Sequence, residues 1–108
     1  MDYIEFKAQD LEKIKNFYSR VFGWAFTDYG PDYVSFSESG IAGGFERQKG
    51  PVVNGALVVL YHGDMESVHT EVIKAGGKIS KDIFNFPGGR RFHFLDPAGN
   101  ELAVWSDR

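Results

Sequence analysis

The chain has 108 residues, 43% hydrophobic, 16% aromatic and 25% charged, with a formal net charge of −3; this suits one soluble domain with its own core, and the lack of any basic run or stripe disfavours nucleic-acid and anionic-membrane partners. There is no cysteine, which excludes disulfides, thiolate catalysis and cysteine-based metal sites. No apolar run approaches the about 20 residues of a membrane helix, and "MDYIEFKAQD" lacks the basic and apolar regions of a signal peptide, so a cytoplasmic location is expected.

In chain order, residues 2–8 ("YIEFKA") alternate in character and read as a strand. A helix follows in "QDLEKIKNFYSRVFG", with Asp10 as its N-cap, Leu11, Ile14, Phe17, Tyr18 and Val21 at helical spacing, and Gly23 as its stop. Three short strands come next, "WAFTDY", "DYVSFSE" and "IAGGFER", parted by Gly30-Pro31 and Ser39-Gly40. The second half repeats this order. "GALVVLY" is a strand. "GDMESVHTEVIKAGG" is a helix capped by Asp64, with Met65, Val68, Val72 and Ile73 on its apolar face and Gly76-Gly77 as its stop. "KISKDIF", "RRFHFLD" and "NELAVWS" are three strands, the last two joined by a turn at Asp96-Pro97-Ala98-Gly99. The spacing from Asp10 to Gly23 equals that from Asp64 to Gly77. The expected fold is α+β: a first βαβββ module over 1–46, a linker over 47–55 and a second βαβββ module over 56–108.

Each helix must cover one apolar sheet face. That face is expected to carry Ile4, Phe6, Val34, Phe36, Val58, Leu60, Phe92, Phe94, Leu102 and Val104. The opposite face then carries Tyr3, Glu5, Tyr33, Ser35, Leu57, Val59, Tyr61, Arg91, His93, Ala103 and Trp105. Such a mixture of rings, aliphatic groups and a few charges fits a concave pocket better than open water. Solvent-facing surface or dimer packing is the plain alternative.

The pieces "DLEKIKNFYSRVFGW", "GIAGGFER", "MESVHTEVIKAGGKI" and "FLDPAGNELAVWSD", in this order, resemble the vicinal oxygen chelate superfamily, the glyoxalase and bleomycin-resistance fold, over essentially the whole chain. The resemblance implies tandem βαβββ modules whose sheets form a curved, cup-like mixed sheet, and a homodimer. It also implies, for metal-dependent members, a divalent ion held by His and Glu side chains from the cup strands, polarising a substrate oxygen. Residue by residue, those ligand positions fall on Tyr3, Leu57 and Ala103, and on Gly44 or Phe45 where the fourth-strand register is open. Leu57 and Ala103 offer no donor, and a phenol at Tyr3 is a poor substitute for imidazole. No metal and no cofactor are therefore expected, and glyoxalase I and extradiol dioxygenase activities are disfavoured.

Glu5 and His93 are the candidate catalytic pair, a carboxylate and an imidazole able to serve as general base. Their plain reading is a rim ion pair of Glu5 with Arg91 or Lys7 and a histidine packed on a ring. Tyr33, Phe45, Tyr61 and Trp105 are candidate walls for a planar or cationic ligand, or else packing residues. Arg91 has the forked donors that bind carboxylate or phosphate; Arg90 is expected in solvent. His62 and His69 are expected on the surface and too far apart to chelate. "NFPGGRR" is either a mobile flap or a plain turn. The leading function is a small-molecule binding protein, for sequestration or metabolite binding, with Tyr3, Tyr33, Phe45, Leu57, Val59, Tyr61, Arg91, Ala103 and Trp105 lining the cup. The alternatives are a lyase, isomerase or epimerase using Glu5 or His93, possibly with a substituted metal site, and a structural role with the cup filled by its own side chains.

Overall fold

Two aspartates start the two helices. In the computed structural model, which describes residues 3–108, Asp10 holds an extended backbone and its carboxylate accepts the Lys13 N–H at 3.1 Å. Asp64 does the same for the Ser67 N–H at 3.1 Å. Each bond satisfies one of the N–H groups that a helix start leaves without an intrahelical partner. Helix α1 spans Leu11–Phe22 and stops at Gly23, whose φ of 73° is the left-handed conformation that glycine adopts without strain. Helix α2 spans Met65–Lys74. Ile73, expected on its apolar face, is 52% exposed; Met65, Val68 and Val72 provide the buried stripe.

The strands are β1 (Ile4–Ala8), β2 (Ala25–Asp28), β3 (Tyr33–Ser37), β4 (Gly43–Arg47), β5 (Val58–Tyr61), β6 (Lys78–Phe86), β7 (Gly89–Leu95) and β8 (Glu101–Ser106). They form two four-stranded mixed sheets, ordered β1-β4-β3-β2 and β5-β8-β7-β6. In each, the first strand of the half pairs in parallel with its last, and the remaining pairs are antiparallel. The order repeats between the halves, as the sequence repeat requires.

The helix-facing residues make one core. Val34, Phe92, Phe94, Leu102 and Val104 are fully buried with Ile14, Tyr18 and Val72, and Ile79 and Ile83 pack against them. Aromatic edges and faces knit it together: Tyr18 stacks on Trp24 at 4.4 Å and Phe17 meets Phe94 of the second sheet at 5.9 Å. The halves also meet through a polar seam. Tyr18 Oη donates to Asp96 Oδ2 at 3.0 Å, and Asn100 Nδ2 donates to the same carboxylate and to the Lys7 carbonyl, each at 3.0 Å.

Two local features shape the outer faces. Strand β6 is longer than expected, and it carries two register shifts against β7, between Ile79 and Lys81 and between Lys81 and Phe84. Each inserts one extra residue, a β-bulge, which bends the strand and adds twist. The segment read as flap or turn is a hairpin turn: Pro87-Gly88 joins Phe86 to its partner Gly89, with Gly88 at φ 113°.

Candidate functional site

The sheet faces turned away from the helices gather most of the candidate residues. On the second sheet they form two cross-strand rows set by the register. The first runs Tyr61, Trp105, Arg91, Phe84 across β5, β8, β7 and β6; the next runs Val59, Ala103, His93, Lys81. In the first row Tyr61 meets Trp105 edge to face at 5.1 Å, and Phe86 meets Trp105 at 6.4 Å. The Arg91 guanidinium lies 5.3 Å from the Phe84 ring and 5.7 Å from the Phe86 ring. Val59 and Tyr61 stand 42% and 49% exposed, so the row offers apolar area to a partner. Ala103 is buried among its larger neighbours. Leu57 lies just before β5 and is half-exposed.

His93 rests against Phe84 at 5.9 Å, and its Nδ1 stands 3.6 Å from Glu101 Oε2, an ionic approach longer than a hydrogen bond. Ser80 Oγ donates to the same oxygen at 2.9 Å. The remaining ring nitrogen, Nε2, is buried with no hydrogen-bond partner, and so is Arg91 Nε.

The first sheet's outer face is different. The Tyr3 and Tyr33 hydroxyls hydrogen-bond to one another. Burial pushes the Tyr33 phenol well above its ordinary value, with Tyr3 and then Glu5 adding to the shift. Lys7 Nζ bridges Glu5, at 3.1 Å, and Glu46. Those two carboxylates, Glu46 first, hold the ammonium above its usual range. Glu5 and His93 thus lie on different sheets with different partners: Glu5 with Lys7, His93 with Glu101.

Phe45 requires a correction. It was expected on the outer wall, yet it is fully buried on the helix side, stacked on Phe6 at 5.3 Å and beside Tyr18. The register explains why: Phe45 pairs with Phe6 and Val34, both helix-facing, whereas Gly44 pairs with Glu5 and Ser35 of the outer face. The outer position of β4 is therefore a glycine, and a Cβ there would collide with the Tyr33 hydroxyl and come within 2.7 Å of the Val34 carbonyl.

The family's metal-ligand positions carry few donors here. They are Tyr3, engaged with Tyr33; Gly44, with no side chain; Leu57, a hydrocarbon; and Ala103, a buried methyl. Among the described residues no three His, Asp or Glu side chains come together as a ligand set. The donor set does not fit a divalent ion, which needs three or four N or O ligands. His62 and His69 do not supply one. His62 Nδ1 accepts the Asp64 N–H at 3.0 Å. His69 is half-buried rather than free on the surface, its Nε2 3.0 Å from Asp82 and its ring edge-on to Phe92 at 5.0 Å.

The sequence pattern assigns no role to Lys81, Phe84 and Phe86. Their signal is faint: "FNF" beside Pro87-Gly88 marks a hairpin arm with two rings on one face, but the bulges hide which face it is. An apolar cleft of about 400 Å³ also opens between the halves, lined by Ile4, Phe6, Trp24, Phe36, Val58 and Leu60; of the outer-face candidates it reaches only Val59 and Tyr61.

Paired mixed sheets, each backed by one helix and each turning a mixed polar and aromatic face outward, define an α+β protein of the tandem βαβββ class. The sequence model of the Glyoxalase/Bleomycin resistance protein/Dioxygenase superfamily matches residues 1–104, and the chain belongs to that superfamily. Solved structures agree on the fold. A glyoxalase/bleomycin resistance protein/dioxygenase family enzyme from Burkholderia phytofirmans PsJN is similar at a TM-score of 0.86 and 16% identity, covering 100% of both chains. A glyoxalase-related enzyme from Fulvimarina pelagi follows at 0.82 and 19%, covering 98% of this chain and 86% of that one. Lactoylglutathione lyase from Agrobacterium tumefaciens is similar at 0.75 and 19%, covering 98% and 92%. No curated protein matches.

Proposed function

We propose that this protein binds a small, largely aromatic molecule on the outer face of its sheets, for sequestration or metabolite binding, without the ligand set of its metal-dependent relatives. The observation that carries the reading is the row Tyr61–Trp105–Arg91–Phe84, a half-exposed aromatic surface with one cation set into it. Rings in such a row give apolar area and offset stacking, and a few polar groups orient the ligand. The two bulges of β6 support a concave face. The reading includes a cytoplasmic homodimer. Strands β1 and β5 are both free sheet edges, and Tyr3, Ile41, Leu57, Val59 and Tyr61 near them are each 40% or more exposed. Free edges flanked by apolar side chains favour a second copy.

A melting screen against planar aromatic compounds tests this, because a ligand selective for the folded state raises the melting temperature. At least one compound should raise it for the wild type and not for Trp105→Ala. A screen without such a compound rejects the proposal.

A second reading, a lyase, isomerase or epimerase, is favoured by one observation: Glu101 beside Nδ1 leaves Nε2 of His93 as the free nitrogen of a carboxylate–imidazole pair. There His93 would accept a proton, with Glu101 rather than Glu5 orienting it.

A further inference from the structure

We infer that the second sheet's outer face is built for a planar aromatic acid, its ring laid on Trp105 and Tyr61 and its carboxylate held by Arg91 together with Lys81. The inference rests on the reading of this face as the ligand site, and it adds the chemical class of the ligand and a residue, Lys81.

The pairing of the arginines carries it. Arg20 stands 3.4 Å from Glu71, Arg47 3.7 Å from Asp32, Arg90 2.6 Å from Glu66 and Arg108 3.9 Å from Asp107. Among the described residues Arg91 alone of the five has no carboxylate partner, and its Nε is buried with no hydrogen bond. Phe84 and Phe86 lie against the guanidinium without neutralising it. A guanidinium half-buried against rings, with its Nε out of reach of water and no counter-charge, is poorly solvated, and an arriving carboxylate offsets that cost. Lys81 is exposed but lies against the same ring. Its ammonium sits 4.4 Å over the same Phe84 ring, and it too has no carboxylate partner among the described residues. Register puts Lys81 beside His93, one row from Arg91. Two cations therefore lie against one ring on the same side of the Trp105 platform, Arg91 on the next strand and Lys81 one strand further.

The acids nearby are already engaged. Glu101 accepts from Ser80 and faces His93. Asp107 accepts from Tyr61 at 2.7 Å, at the opposite end of the row from Phe84. Neither reaches Arg91 or Lys81 as an ion pair. Guanidinium and ammonium donors strengthen on meeting a carboxylate, and a ring bearing that carboxylate adds stacking on Trp105.

Calorimetric titration of the full chain with 1-naphthoate, its neutral carboxamide and 1-naphthylmethylammonium tests this. The acid should bind about tenfold more tightly than the amide, and the ammonium more weakly than either. Arg91→Met and Lys81→Met should each cut the acid's affinity and leave the amide's within about twofold, and Arg91→Lys should restore part of it. Added salt should erode the acid's advantage in the wild type, a readout independent of any variant's folding. Equal binding of acid and amide, with no salt dependence, overturns the acid and leaves aromatic binding standing. Binding of none of the three overturns this proposal. An Arg91→Met chain that keeps its preference for the acid but sediments as a smaller species also overturns it, because Arg91 then serves a second copy.

Discussion

Tyr18→Phe removes a single oxygen from the seam between the two halves. The ring remains fully buried against Trp24, Phe45 and Phe17. What is lost is the 3.0 Å donation to Asp96, a carboxylate only 4% exposed. Asp96 keeps its other donors, the Asn100 side chain at 3.0 Å and the backbone N–H groups of Ala98 and Asn100 at 2.9 and 3.0 Å. A hydrogen bond to a charged group contributes about 1.5–3 kcal/mol. Phenylalanine fills the same space and leaves no hydroxyl unsatisfied, so the expected cost is the lower part of that range, about 1.5–2 kcal/mol near neutral pH. At ~5 °C per kcal/mol for a domain of this size, the melting temperature should fall by ~7–10 °C.

The pH dependence sharpens the test. Burial, opposed in part by those hydrogen bonds, holds the Asp96 carboxyl above its ordinary 3.8. The folded chain therefore binds a proton that the unfolded chain has released in the interval between the two values. The stability from this proton is fully present below 3.8 and is lost as pH rises through the raised value. The missing donor favours the ionised form, so the cost of Tyr18→Phe should shrink as pH falls through that interval. Urea unfolding of both proteins at pH values on either side of it measures this directly. A cost below about 0.5 kcal/mol at neutral pH, or one unchanged by acid, refutes the assignment of the seam to a charged hydrogen bond.

Phe45→Ala should destabilise by about 3–5 kcal/mol, as for a buried ring between Phe6, Tyr18 and Phe36; denaturant unfolding checks it, and a loss under 1 kcal/mol would return Phe45 to the outer face. Gly44→Ala should cost about 1–3 kcal/mol by overpacking against the Val34 carbonyl and the Tyr33 ring, read as a lower urea midpoint with unchanged slope. Gly89→Ala should be worse than Gly44→Ala in the same assay, because its Cβ meets only backbone, that of Ser106 and Asp107.

Both helices and most of the covered sheet face are legible in the sequence because their signals are local. Asp10 and Asp64 cap the helices through their own side chains, and alternation assigns Phe6, Val34, Phe36, Phe92 and Phe94 to the covered face. Phe45 is misread where "GG" erases the alternation, leaving the phase of β4 to be set by its partners, Val34 on β3 and Phe6 on β1. The face of Phe84 and Lys81 is hidden by bulges, which shift the phase of β6 without leaving a mark in its composition. The pairing of His93 with Glu101 is a diagonal contact across two strands; by residue type alone Glu5 is as good a carboxylate, but it lies on the other sheet. The missing metal ligands are legible because each is a question of residue type at one position.

Strand β8 lies inside its sheet, between β5 and β7, and among the described residues is the sole strand partner of β5. On the ribosome this sets a timetable. The first sheet has all four of its strands once Arg47 has emerged, whereas Val58–Tyr61 must wait, unpaired and apolar, until Glu101–Ser106 follow. Such distant pairing is slow and leaves sticky strands uncovered. A nascent chain stalled before Glu101 would therefore keep Val58–Tyr61 without a strand partner and open to protease, and would leave the shared core without Leu102 and Val104.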